Sequence, residues 1–137
     1  VAAAGGPGAG QATKALNNLV NAVGMVITVE TMLMGKEFGL EMDTFIDVLN
    51  ASTGRNGTTE RKAKQFFLTH VFNSGFSMDL MVKDITTAMR IAEGTNLPTD
   101  LLTHGVNRWL EAQKDLGPGH DHCEISAWME KISGRTL

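Results

Sequence analysis

Along residues 11–38, QATKALNNLVNAVGMVITVETMLMGKEF, the apolar residues Leu16, Leu19, Val20, Val23, Val26 and Ile27 recur at spacings of three and four, the period of an amphipathic helix. No proline interrupts the run, and as a single helix it would extend about 42 Å, longer than a compact domain of this size requires. Gly24 and Gly35 lie inside it. Each lowers intrinsic helix stability by about 1 kcal/mol relative to alanine, so a glycine kept there points to close packing against another backbone. Gly39 is placed to stop the helix.

Shorter helical patterns follow. MDTFIDVLNAS (42–52) sets Phe45, Val48 and Leu49 together, TGRNG (53–57) is a loop by composition, and TTERKAKQFF (58–67) restarts a helix at Thr58. SMDLMVKDITTAMRIAEG (77–94) has Ser77 as N-cap and Gly94 as stop, and LPTDLLTHGVNRWLEAQKDLG (97–117) is helical after Pro98 and ends at Gly117. DHCEISAWMEKISG (121–134) opens with Asp121 and Glu124 at capping-box spacing and carries a stripe of Ile125, Trp128, Met129 and Ile132. No stretch reads as a strand and no internal repeat emerges. The expected fold is all-α, with about six or seven helices and a long first one.

Composition narrows the function classes. A chain of 137 residues suits one domain, burying roughly two-thirds of its unfolded surface. A net charge of −3, from 12 basic and 15 acidic residues, argues against a nucleic-acid surface. No uninterrupted apolar run reaches the ~18 residues of a bilayer-spanning helix, and no signal-peptide pattern opens the chain; no membrane role is expected. The lone Cys123 excludes an internal disulfide and suits a reducing compartment, for which the cytoplasm is the expectation. The first residue is Val rather than Met, so the chain reads as processed, tagged or cut from something longer.

The Gly-rich stretch GGPGAGQATKALNN (5–18) raises the question of phosphate binding. A Walker loop counted from Gly5 places Gln11 where its lysine belongs, and a dinucleotide fingerprint counted from Gly8 and Gly10 places Thr13 where its third glycine belongs. The preceding VAAAGGP is too short and alanine-rich for the buried strand such a motif requires. The glycines therefore read as a junction over residues 1–10 that ends where the long helix begins. On that helix Lys14, Asn18, Asn21 and Met25 fall at i, i+4, i+7 and i+11 and share one face. In or just beyond the first turn, the positive end of the helix dipole disfavours an ammonium, and burial would disfavour it further, which favours proton transfer by Lys14. Asn18, one turn on, is placed to hold an oxygen of the same substrate. A surface lysine on a polar face is the other reading of the same residues. The three asparagines within residues 17–21 are poor helix formers and call for a compensating reason.

GAGQATKALNN resembles the start of the C-terminal domain of the β-hydroxyacid dehydrogenase family, whose members include 3-hydroxyisobutyrate dehydrogenase, tartronate semialdehyde reductase and the glyoxylate/succinic semialdehyde reductases. EFGLEMDTFIDVLNASTGRN, GFSMDLMVKDITTAM, LPTDLLTHGVNRWLEA and DHCEISAWMEKI continue the resemblance over nearly the whole chain. It implies an all-α domain like the C-terminal domain of 6-phosphogluconate dehydrogenase, occupying residues 11–137 here. It implies that Lys14 is the catalytic lysine, acid in reduction and base in oxidation, and that Asn18, with neighbouring Asn17, binds substrate. Phe76 and Asp84 would face the active site, and Lys83 would lie near the cofactor. The hydride would come from NAD(H) or NADP(H), held by an N-terminal Rossmann domain that this chain lacks; the family's substrate-carboxylate loop lies there too. The implied partners are a small hydroxyacid or semialdehyde, the chain's own Rossmann domain and further copies in a homodimer or homotetramer.

Two alternatives stand beside this reading. One is a helical oligomerisation module with no chemistry of its own. The other is an imine-reducing member of the family, which Lys14 disfavours because such relatives commonly lack it. Of the remaining candidates, Lys83 and Asp84 read from the residues alone as a solvated charged pair. GHDHC (119–123) invites a metal, but zinc needs about four well-placed ligands, and helix capping is the expected role. The eight methionines, Met32, Met34, Met81 and Met89 among them, are expected to fill the core, as are His104 and Trp109.

Overall fold

A computed structural model describes residues 5–137. The first four residues of the expected junction, and with them most of VAAAGGP, lie outside the described residues. The chain folds as α1 (Ala9–Glu37), α2 (Met42–Asn50), α3 (Gly57–Arg61), a π-helical turn (Ala63–Phe67), α4 (Met78–Glu93), α5 (Asp100–Leu116), a 3₁₀ turn (His122–Glu124) and α6 (Ile125–Ser133). The expected all-α class is what forms: among the described residues the only β-type pairing is an isolated bridge between Ser77 and Asp121.

The long first helix is one continuous helix of 29 residues, and every later α-helix packs on it. Leu19, Ala22, Met25, Val26, Val29 and Met32 give it a buried stripe. It ends as expected: Gly39 adopts φ 84°, its N–H bonds to Lys36 O and Leu40 N–H to Gly35 O, the paired bonds of a Schellman stop. In its most apolar 18 residues α1 has a mean hydropathy of 1.3. By length and composition it therefore qualifies as a bilayer-spanning helix despite the broken apolar run. Half of that window is buried inside the helical domain, which makes it the core helix here.

The close approach expected at Gly24 occurs elsewhere. A Cβ at Gly24 would meet nothing within 4 Å, whereas one at Gly105 of α5 would lie 2.6 Å from Val23 Cγ2. Four residues on, fully buried Trp109 donates its Nε1–H to Ala22 O at 2.9 Å. The side chain behind the α1–α5 contact thus belongs to Val23, and the missing one to α5.

Other expectations change. The helix expected over 58–67 starts at Gly57, capped by Asn56 rather than from Thr58, and breaks at Lys62 (φ −129°, ψ −38°). Thr59, Ala63 and Phe67 are all buried. In an α-helix a four-residue row rotates by about 40° per step, and the wider π turn removes that drift. Val48 and Ile132 are 54% and 48% exposed, so they leave the buried stripes of α2 and α6, and Met34 is 64% exposed while six of the eight methionines are buried. His104 is exposed, although Trp109 is core. Gly94 closes α4 in a right-handed conformation, and the left-handed residue is Asn96 (φ 56°).

The α1–α5 seam generates a paired expectation. Gly105→Ala should destabilise the chain by about 1–3 kcal/mol through overpacking against Val23, more than the gain in helix propensity returns. Gly24→Ala should stabilise it by up to about 1 kcal/mol. Denaturant unfolding of the two variants checks both signs.

Candidate active-site face

α1 begins at Ala9 behind Gly8, which adopts φ 79°; no side chain caps the helix and no acid stands in its first turn. Lys14 therefore lies in the second turn, where the dipole is weaker than at the start expected from the sequence, and it is exposed. Asn17 is exposed and Asn18 half-buried. The next residues on this face turn inward, ending at Met25, which is fully buried.

The inner end of the face is held by Lys62. Its Nζ donates to Asn21 Oδ1 at 3.2 Å and lies 3.3 Å from Met25 Sδ. Burial pulls its pKa below the ordinary lysine value, against the opposing pull of Cys123 and Asp121. The asparagines that read as poor helix formers thus have at least one structural reason: Asn21 satisfies a half-buried ammonium. Sequence reasoning missed Lys62, which stands 41 residues away at the break after α3. The available signal was its spacing of four from the buried Thr58.

The second group of expected site residues gathers on α4 and the loop before it. Lys83 is exposed, and Asp84 is half-buried at the edge of the stripe formed by Met81, Ile85 and Ala88. Phe76 is half-buried and clamped. Its carbonyl accepts from His122 N at 2.8 Å and from His122 Nδ1 at 3.0 Å, and its ring meets the imidazole edge-on at 5.3 Å. Because a carbonyl only accepts, this assigns the proton to Nδ1. The Asp121 carboxylate accepts from Ser74 Oγ, from Gly75 N at 3.2 Å and from Cys123 N at 2.8 Å. Thus α1 gathers Lys14, Asn17 and Asn18, and α4 with its entry loop gathers Phe76, Lys83 and Asp84. The two helices pack together, but among the described residues no side-chain hydrogen bond or ion pair joins the two groups.

Asp121, His122 and Cys123 do bring potential ligand atoms within 4.8 Å of one another. Their hydrogen bonds carry out the expected capping role: Asp121 and Glu124 form a capping box. Burial, and then the Asp121 charge, pushes the Cys123 thiol up to about 12. Burial, then the Lys62 charge, lowers the His122 pKa. Burial opposes ionisation of Asp121, but the Cys123 N–H, the Ser74 hydroxyl and His122 together hold its carboxyl below the ordinary value.

A cleft of about 310 Å³ opens beside this face, with Asn17 and Asn21 on the α1 side and Asn56 and Arg61 on the other.

Comparisons with known proteins agree with the all-α architecture. The family model described as NAD-binding of NADP-dependent 3-hydroxyisobutyrate dehydrogenase matches residues 8–129. The chain belongs to the β-hydroxyacid dehydrogenase family, as its all-α C-terminal domain. It is similar to 2-(hydroxymethyl)glutarate dehydrogenase of Eubacterium barkeri, at 30% identity over 95% of this chain and 43% of that protein. It is also similar to a probable mitochondrial 3-hydroxyisobutyrate dehydrogenase of Arabidopsis thaliana, at 33% identity over 89% and 36% of the two. The solved structure of Mycobacterium tuberculosis 3-hydroxyisobutyrate dehydrogenase with L-serine superposes with a TM-score of 0.77 at 26% identity, over 89% of this chain and 44% of that one. The chain thus spans less than half the length of these relatives.

The clamp on Phe76 makes stability depend on pH. With its folded pKa below the unfolded value, His122 contributes no penalty above pH ~6.5, and destabilises the fold progressively as pH falls below that. His120, raised by its bond to Glu124, acts in the opposite sense over the adjoining window above pH ~6.5, where its stabilisation is lost as pH rises, so a difference measurement is needed. Wild type should lose stability relative to His122→Gln as pH falls from ~6.5 toward 5. Urea unfolding of both proteins across that range checks it; parallel profiles would remove His122 from the account.

Proposed function

We propose that this chain is the C-terminal catalytic domain of an NAD(P)-dependent 3-hydroxyacid dehydrogenase or short-chain semialdehyde reductase. The observation that carries the reading is the exposed Lys14 with Asn17 and half-buried Asn18 at the start of α1, in a chain that belongs to this family. The names of its relatives support an oxidoreductase of hydroxyacids, and the matching family model is named for NAD and NADP. In this reading the substrate lies between the Lys14 face and a Rossmann domain. Lys14 gives its proton to the carbonyl oxygen in reduction and takes the hydroxyl proton in oxidation. Asn18 and Asn17 orient that oxygen, and Phe76, fixed by His122, walls the substrate. The dinucleotide, when bound, supplies or accepts the hydride. An acid-free, uncapped start of α1 and the exposed Lys83 beside Asp84 suit the edge of such a polyanion. The single buried Cys123 supports a cytoplasmic setting.

Assembly is a second role that the same helix supports. Leu16, Val20, Ile27 and Met34 of α1 are 44%, 71%, 54% and 64% exposed, and Val20, Ile27 and Met34 recur every seven residues, forming an apolar stripe that favours a partner helix. We expect a homodimer or homotetramer in which copies meet along this stripe. Light scattering should show an oligomer for wild type and a smaller species for the double substitution Val20→Lys, Ile27→Lys. A strict monomer at high wild-type concentration would refute it.

In the complete enzyme Lys14→Ala should lower kcat at least ~100-fold, the lower range for general acid–base catalysis, with cofactor affinity little changed. Lys14→Arg should fail nearly as badly, since a guanidinium stays protonated and cannot act as base. Asn18→Ala should act chiefly on KM. Steady-state kinetics over a panel of 3-hydroxyacids decides this; near-wild-type kcat in Lys14→Ala would move the chemistry elsewhere, first to Lys83 and Asp84.

A further inference from the structure

The cleft between α1 and α3 has a one-sided chemistry. None of its lining residues is acidic. Arg61 lines it, and none of the ion pairs among the described residues involves Arg61. The neighbouring acid, Glu60, is taken by Arg55 at 3.3 Å.

The amides add to this. Lys62 is an ammonium and can only donate, so its contact with Asn21 Oδ1 at 3.2 Å fixes which end of that amide is which. The oxygen turns to Lys62, and the Nδ2 donors are left for the cleft. Asn17, exposed on the turn before, can present its own amide donors to the same space. Asn56 has no such freedom. Its Oδ1 accepts from Thr58 N and Thr59 N, and its Nδ2 donates to Thr28 Oγ1 and Gly54 O, so it acts as a fixed wall. The cleft therefore offers a guanidinium and amide N–H groups, with the Lys62 charge one hydrogen bond behind them. A guanidinium and amide donors around a small volume that no carboxylate lines favour an anion of planar, multidentate geometry.

The geometry points to a carboxylate subsite here, built from Arg61, Asn21 and Asn17 and backed by Lys62. It rests on the proposed function, in which Lys14 serves the reacting oxygen. Asn21 lies two helical turns beyond Lys14, about 10 Å along the axis. A group bound there belongs to the far end of the substrate, and the subsite selects substrates that carry a second carboxylate. Lys62 is a positioning residue in this scheme, acting through the Asn21 amide.

Two measurements test the subsite. In the first, the chain is titrated with glutarate and separately with its neutral diamide, and the side-chain amide signals of Asn17 and Asn21 and the Nε–H of Arg61 are followed by NMR. Saturable shifts with glutarate alone are expected, weakened at least about tenfold by Arg61→Gln, the loss of one hydrogen bond to a charged group. Lys14→Ala should leave these shifts unchanged. No saturable shift, an equal response to the diamide, shifts centred instead on α4, or an unchanged affinity in Arg61→Gln would overturn the subsite. In the second, Arg61→Gln in the complete enzyme should raise KM at least about tenfold for a hydroxyacid bearing a second carboxylate, leave KM for a monocarboxylic hydroxyacid in place and preserve kcat for both. Arg61→Lys should restore part of the loss. Equal KM changes for both substrates would overturn the subsite while leaving Lys14 in its role. An unimpaired kcat in Lys14→Ala would remove Lys14 from the chemistry of the proposed function while the glutarate shifts stood.

Discussion

The seam between α1 and α5 sets the rest of the structure. Gly105 has no side chain, and Val23 of α1 fills the space where one would be. At that separation the Trp109 indole reaches the Ala22 carbonyl, 2.9 Å away. That carbonyl belongs to the interior of a helix, so the indole is a second donor to an oxygen already in the α1 ladder. The bond satisfies the one polar atom of a side chain that has no exposed surface. Once α1 and α5 are locked there, the rotation of α1 about its own axis is fixed. The buried row Leu19, Ala22, Val26 and Val29 then determines that the Lys14–Asn18 face points away from the core at the helix start.

A second constraint comes from polar groups that cannot reach water. His122 is 5% exposed and sits between Phe76, Ser74 and Lys62. Its neutral form is favoured by burial and by the Lys62 charge, and its Nδ1–H is used on the Phe76 carbonyl. Asp121 anchors Ser74 and Gly75 on one side and starts the turn into α6 on the other. The loop before α4 is thereby tied to the loop before α6. Phe76 is held by hydrogen bonds at its backbone and by an edge-on contact at its ring, which is how a residue in a loop gains the definition of one in a helix.

The legible and illegible parts of the chain divide along physical lines. α1, α4, α5 and α6 were readable because each buries one stripe at the helical period, and their stops at Gly39 and Gly117 carry the positive φ that favours glycine. The capping box of Asp121 and Glu124 was readable because it is local. The clamp on Phe76 was not, since it joins residues 46 apart with no periodic trace. The π turn after Lys62 was hidden because a row spaced by four looks the same in an α-helix until its drift has to be absorbed. Gly24 misled because a sequence shows that a side chain is missing but not whether anything occupies the space. Among site residues, Lys14, Asn17 and Asn18 were visible as a motif on one helix face. Lys62 and Arg61 were not, because their relation to that face exists only after α3 folds back on α1.

The exposure of Lys14 has a consequence for where the chemistry is completed. A lysine that exchanges protons at neutral pH is helped by removal of water and by fixed dipoles around it. In this chain the helix start has no capping side chain and no acid, Asn17 is open to solvent, and the desolvated cation is Lys62, two turns further in. The face is thus preorganised at its inner end and open at its outer end. Under the proposed role, the surface that covers Lys14 has to bring the dehydration that the helical domain does not supply. That division suits a two-body site. In the function proposed above, the helical domain would fix the angle at which Lys14, Asn18 and Phe76 meet the substrate, and closure by the second body would supply the low dielectric in which a proton transfer from Lys14 becomes effective.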